Sequence, residues 1–252
     1  MRPMLVSLRV PAAVCAGFVL LAGCPKQPEF GMEAPGRPAI TWKHEDGGSS
    51  EKPNAQAEKE AERELLAEYR AAERNNPDSL AMAGTLYRLA ILRRQQGALA
   101  ESERLYLRAL AIREKAQGPN HPDVAVILNN LAGLKAAEGN YDAAQPLLER
   151  TLAIRETALG SDDVLTAESL NNLALLYAAQ GEAQAAEPLY QRAIAILEKK
   201  HGSVKGELDR VLDNYAALLY EMGQDSEAEK MEAHARVVRA AEGQKVDDQR
   251  TP

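Results

Sequence analysis

Between residues 124 and 138 the apolar side chains fall at Val124, Ile127, Leu128, Leu131 and Leu134. That spacing draws one stripe along a helix. Gly139-Asn140 ends the stripe, as a left-handed cap would. Asp142 is placed to cap a following helix that runs to about Leu159. Pro146 and Pro188 fit the first turn of such helices, where a missing N–H costs least. Gly118-Pro119-Asn120-His121-Pro122 then turns the chain. The pattern predicts helix, tight turn, helix, and a second turn.

The unit repeats. Gly97, Gly139, Gly181 and Gly223 are spaced by 42 residues, and so are Leu86, Leu128, Leu170 and Leu212. Ala90, Ala132, Ala174 and Ala216 keep the step, as do Gly118, Gly160 and Gly202. Leu128-Asn129-Asn130-Leu131-Ala132 returns as Leu170-Asn171-Asn172-Leu173-Ala174. Self-similarity at this period marks stacked helix pairs that share one core.

The repeat resembles the tetratricopeptide repeat in the 42-residue form typical of kinesin light chains. The resemblance rests on Leu173, Ala174, Tyr177, Gly181, Ala186, Tyr190 and Ala193 and covers about residues 79–242. It implies an all-α, right-handed solenoid of antiparallel helix pairs, with a concave groove lined by the first helix of each pair. The repeats divide as 78–119, 120–161, 162–203 and 204–242. Residues 54–77 form an N-terminal capping helix with Ala61, Leu65, Tyr69 and Ala72 on one stripe. At the other end Glu232 stands where earlier repeats have Tyr106, Leu148 and Tyr190, and Arg236 where they have Leu110, Leu152 and Ile194. That face is expected to be wet, so the array should stop at four repeats. Residues 243–252 are expected to be a disordered tail.

The chain opens differently. Arg2 and Arg9 precede an apolar run from Val10 to Ala22, 13 residues long. A membrane span needs roughly 20, so the run fits the core of a signal peptide. Leu21-Ala22-Gly23-Cys24 resembles the lipobox of bacterial lipoproteins. That resemblance implies cleavage after residue 23 and a diacylglyceryl group on Cys24. Two or three acyl chains, at about 0.8 kcal/mol per buried CH₂, hold a protein stably to a membrane. Pro25 rather than Asp follows the cysteine, which the same resemblance reads as outer-membrane sorting, facing the periplasm of a bacterial envelope. Residues 24–53 alternate Pro and Gly without apolar periodicity and read as a flexible tether. Trp42 lies in it with Glu45 and Asp46 nearby. Kinesin light chains resemble receptors for a Trp flanked by acids, which raises the reading that the arm occupies its own groove.

In peptide-binding members of the family, an Asn before the Leu-Ala pair grips a ligand backbone. The matching positions here are Asn130, Asn172 and Asn214, with Arg88 in the first repeat. One place earlier lie Asn129 and Asn171, with Tyr87 and Asp213. An amide offers both donor and acceptor, so it pairs with any extended peptide. The same amides could instead tie neighbouring repeats together. Arg88, Arg93 and Arg94 make the first repeat basic, and Glu207, Asp209, Asp213 and Glu221 make the last one acidic, offset by Arg210. The expected ligand lays its acidic part over Arg88 and Arg94.

Charge and composition narrow the function. The net charge is −7. Without Arg2 and Arg9, 28 basic side chains face 37 acids, a formal −9. Nucleic-acid binding depends on neutralising phosphates and is not expected. Both cysteines lie within the first 24 residues, which leaves none for a disulfide or metal cage in the repeats. No phosphate loop, nucleophile elbow or paired-histidine motif occurs. The sequence therefore reads as a non-enzyme, with no cofactor beyond the lipid on Cys24 and no small-molecule substrate. The expected partner is a protein or peptide held for an envelope machine such as secretion, pilus or outer-membrane assembly. The alternative is a structural subunit joined through its outer face.

Overall fold

The computed structural model describes residues 55–200 and 206–248. Cys24, Trp42 and residues 201–205 lie outside the described residues. Helix α1 (Ala55–Asn75) precedes four hairpins. These are α2 (Leu80–Gln95) with α3 (Leu99–Gln117), and α4 (Pro122–Ala137) with α5 (Tyr141–Leu159). Then come α6 (Val164–Ala179) with α7 (Ala183–Lys199), and α8 (Glu207–Glu221) with α9 (Asp225–Asp248). No strand occurs among the described residues. Each helix packs on its hairpin partner, and each second helix packs on the first helix of the next pair. This is an all-α solenoid of helix pairs.

The turns follow from local chemistry. At the end of α4, Gly139 takes φ +75°, and its N–H donates to Ala136 O while Asn140 N–H donates to Lys135 O. These two bonds satisfy carbonyls the helix leaves open, in a conformation glycine adopts without strain. The cap of α5 differs from expectation. Asn140, not Asp142, accepts from the backbone N–H of Ala143. The helix therefore begins two residues earlier, and Pro146 sits inside it, as Pro188 does in α7. His121 caps α4 by accepting from Asp123 N–H.

Alanines set the close approaches. Ala90, Ala132, Ala174 and Ala216 on first helices are fully buried, as are Ala109 and Ala193 on second helices. The leucine series Leu86, Leu128, Leu170 and Leu212 fills the space between them. Each buried leucine contributes roughly 1.5–3 kcal/mol from burial.

The ends behave as caps. Tyr69 and Ala72 of α1 pack on the first repeat and Leu65 is half-buried, but Ala61 is exposed. The helix is turned so that Glu62 faces α2 and binds Arg93 at 2.6 Å and Gln96 at 3.1 Å. On α9, the Arg236 side chain is 65% exposed, as a face with nothing stacked on it requires. Helix α9 runs on to Asp248, through most of the stretch expected to be a tail. Ala, Glu, Gln and Lys are good helix formers, and a helix already docked at its start extends without a new nucleus.

Candidate functional site

The asparagines singled out in the sequence form a spine. Asn130 donates through Nδ2 to Tyr87 Oη at 3.0 Å. One repeat on, Asn172 donates to Asn129 Oδ1 at 2.9 Å, and Asn214 donates to Asn171 Oδ1 at 3.0 Å. Asn171 Nδ2 also reaches Asn172 Oδ1 at 3.3 Å, which links two rungs. All five asparagines are at most 3% exposed. Expected to face a ligand, they face each other: the second Asn of one repeat bonds the first Asn of the repeat before it. Around them α6 is buried at every residue from Thr166 to Leu176. Such amides must be paired once buried, and the neighbouring repeat supplies the pairing.

Ion pairs close both ends of the spine. Arg88 has no earlier first helix to meet, and it pairs with Glu68 of α1. Asp213 has no later first helix, and it accepts from Arg239 of α9 at 2.6 Å. Arg239 also reaches Asp209 at 3.4 Å. Arg93 binds Glu62 and, at 3.1 Å, Glu101. Its guanidinium holds the Glu62 carboxyl below the ordinary carboxylate range. Arg94 is half-buried and Arg210 binds Glu207 at 2.7 Å. The basic and acidic ends expected to orient a ligand are thus matched within the chain.

A second series runs along the second helices. Arg108 binds Glu73 at 2.7 Å, Arg150 binds Glu114 at 2.6 Å, and Arg192 binds Glu156 at 2.7 Å. The fourth member, His234, stands 3.8 Å from Glu198. The bases sit at positions 108, 150, 192 and 234, and the last three acids at 114, 156 and 198, each at the 42-residue step. An arginine and a glutamate six residues apart on one helix do not meet each other, but each meets the next helix in the stack.

Sequence reasoning missed one buried cluster. Arg155 of α5 is 1% exposed and Glu168 of α6 is 4% exposed. Arg155 Nη1 donates to Leu165 O at 2.8 Å and Ser169 Oγ at 3.0 Å, with Glu168 Oε2 at 3.5 Å. The signal was Arg155 standing in step with Arg113, which binds Asp123 at the junction before.

Among the described residues no group of His, Cys, Asp or Glu could hold a metal. His121 caps a helix and His234 faces Glu198; His44 and His201 lie outside the described residues. No described helix is long and apolar enough to cross a membrane. The geometry defines a scaffold of stacked helix hairpins.

The chain belongs to the tetratricopeptide repeat family, whose model matches residues 81–157, 123–199 and 165–236. Among solved structures, BtubC (BKLC) from P. vanneervenii is similar with a TM-score of 0.66 and 23% identity, over 74% of this chain and 75% of that one. A P. anserina protein assigned to the kinesin light chains, with nearly identical TPR-like repeats, is similar in two structures. They give TM-scores of 0.64 and 0.62 at 24% identity, over 75% and 78% of this chain and 90% of each of theirs. These likenesses describe the fold. No curated protein matches the chain.

Proposed function

We propose that the chain is a lipid-anchored adaptor of a bacterial envelope that holds a peptide or partner protein on its repeat array. The observation that carries the reading is the repeat array itself, a tetratricopeptide module over residues 81–236. Such modules act as protein-interaction scaffolds, and the described residues hold no metal-binding group. The lipobox Leu21-Ala22-Gly23-Cys24 supports the anchor, with Cys24 as the acylated residue and the outer membrane as its site. Because the asparagine amides are engaged between repeats, ligand contact falls to more exposed residues such as Arg88, whose pair with Glu68 is open to solvent. A ligand that engaged Asn130, Asn172 or Asn214 would have to take over bonds the repeats already make.

The test is co-purification from cross-linked cells, comparing the wild type with Arg88→Glu/Arg94→Glu after both are shown to fold. Loss of a specific partner supports groove capture. An unchanged partner list transfers function to the outer face, the structural-subunit reading, which the burial of the asparagine spine favours. For the anchor, Cys24→Ser should abolish labelling by radioactive palmitate and release the protein from the membrane fraction. Retained labelling would remove Cys24 as the lipid site.

A further inference from the structure

The junction between the third and fourth repeats departs from the others, and always in the same sense. At the first two junctions the outer series sets an arginine against each glutamate, and Arg192 does so at the third. At the last junction the glutamate remains as Glu198, but the base has become His234. A second series shows the same loss. Arg93 on α2 binds Glu62 of α1, and Lys135 on α4 binds Glu103 of α3 at 2.6 Å. In the next repeat Tyr177 replaces the base and Gln145 replaces the acid, an amide and a phenol at 3.3 Å. In the last repeat Leu219 replaces the base, but the acid stays, as Glu187. Two carboxylates keep their places while both cationic partners are gone.

Their side chains open onto a cleft of ≈ 420 Å³ between α7 and α9, floored by α8. Glu187, Glu198 and Glu227 line it, and neither lysine nor arginine does. Ile194, Leu219 and Met231 give it an apolar base. The acids are occupied only in part. Glu187 accepts from Tyr215 Oη at 3.0 Å, Glu227 binds Lys230 on its own helix, and Glu198 has His234 at 3.8 Å. The repeat unit thus shows which chemistry belongs here, because Arg192 and Lys135 stand at these positions at earlier junctions. We propose that this outer cleft docks a partner segment presenting an arginine or lysine beside an apolar side chain. The cation takes the place against Glu198 that Arg192 fills against Glu156 at the junction before; Glu187 lies eleven residues back on α7, about 16 Å along the axis, too far for the same cation. The apolar neighbour covers Ile194 and Met231, which are only partly buried. A guanidinium can grip one carboxylate with two parallel N–H bonds, which a point charge does not, so arginine should bind more tightly than lysine.

The site lies on the outer side of the hairpins, between second helices, and does not depend on the inner groove reading. The test uses the full chain and a labelled five-residue peptide with arginine between two leucines, followed by fluorescence anisotropy. Its counterpart carries glutamate for arginine. The arginine peptide should bind saturably and lose affinity with salt, and the glutamate peptide should not bind. Glu187→Gln/Glu198→Gln should weaken binding by about tenfold or more. His234→Arg restores the base that faces the glutamate at the earlier junctions and should weaken binding similarly. Its melting temperature, measured beside the wild type, separates weak binding from a folding failure. Glu64→Gln, at an exposed carboxylate of α1 at the far end of the array, should bind the peptide as the wild type does. Equal binding of both peptides, no binding of the arginine peptide at millimolar concentration, or full binding by a folded His234→Arg would each overturn the proposal.

Discussion

The solenoid is tied twice, once along its inner side and once along its outer side, and the two ties differ in kind. The inner spine consists of neutral amides at most 3% exposed. The outer series consists of charged pairs in which Arg150 and Arg192 remain 37% and 41% exposed. Both repeat at 42 residues and both bridge successive pairs. Burial decides what each is worth. A buried amide that loses its partner has no water to turn to, whereas an exposed ion pair exchanges one hydrated state for another. Equal regularity in sequence therefore does not mean equal weight in stability.

The largest effect should come from Arg155 and Glu168, the one place among the described residues where charged side chains are buried. Removing the guanidinium by Arg155→Leu leaves Glu168 buried without its counter-ion and should cost roughly 3–5 kcal/mol. Leu197 already occupies the equivalent position in the next repeat, and Val126 the one equivalent to Glu168. The double variant Arg155→Leu/Glu168→Val should accordingly recover most of that loss, since replacing both ions leaves no unpaired charge. Urea unfolding of the wild type and the two variants checks this. If the double variant is as unstable as the single one, packing rather than the ion pair carries the junction.

Next in size is the spine itself. Asn172→Ala removes the donor to Asn129 Oδ1 and the acceptor for Asn171 Nδ2. Two buried polar groups lose partners, at about 1–3 kcal/mol each. Unfolding should lose cooperativity between the first and second halves of the array, because stacked repeats communicate only through their neighbours. Hydrogen exchange should then show α2–α5 and α6–α9 opening at different denaturant concentrations. A single uniform transition with unchanged midpoint would remove the spine from the stabilising terms.

The positions of these residues were legible in the sequence, and their partners were not. Periodicity says that Asn130 and Asn172 are equivalent. It does not say that Asn172 meets Asn129 rather than a ligand, because the offset of 43 appears only when one helix pair is laid on the next. The outer series was in plain view as Arg108, Arg150 and Arg192 with Glu114, Glu156 and Glu198, yet spacing within one helix gives those charges nothing to bind. Arg155 and Glu168 were hidden for another reason. A charge inside a repeat reads as solvated surface unless burial is known, and only the step from Arg155 to Leu197 hinted that the site is apolar. The α5 start was misplaced because Asn140 and Asp142 are both competent caps two residues apart. The family landmarks Ala174, Gly181, Tyr190 and Ala193 worked because each meets a requirement of its own repeat, a close approach or a turn.

The edge of the array joins the two ties and should respond to acid. Arg93 holds Glu62 ionised below the ordinary carboxylate range, chiefly through its hydrogen bond. A carboxylate depressed in the folded state adds stability that is fully present above its unfolded value and is lost as pH falls through the folded one. Below the ordinary carboxylate range, α1 should therefore loosen from α2. The neutral spine between Asn129 and Asn172 should be indifferent over the same interval. Hydrogen exchange in α1 and α6 from neutral pH to acid separates the two. Parallel loss of protection in both helices would show that the whole array, not its edge, titrates.

The smallest effect should come from the outer series. Arg150→Ala removes the bond to Glu114 and a second one, at 2.7 Å, to the carbonyl of Pro119. Exposed pairs of this kind contribute about 0–1 kcal/mol. A double-mutant cycle with Glu114→Ala isolates the pair from the carbonyl bond, since only Arg150 makes the latter. The coupling should fall further in high salt, because solvent ions screen exposed charges. The inner comparison, Asn172→Ala, should keep its full cost in the same salt. A coupling at Arg150–Glu114 equal to the loss at Asn172 would mean that the outer face is less hydrated than its exposure implies. Outer charge would then be an equal determinant of how the hairpins stack, and the substitution at His234 would weaken the last junction as well as open it.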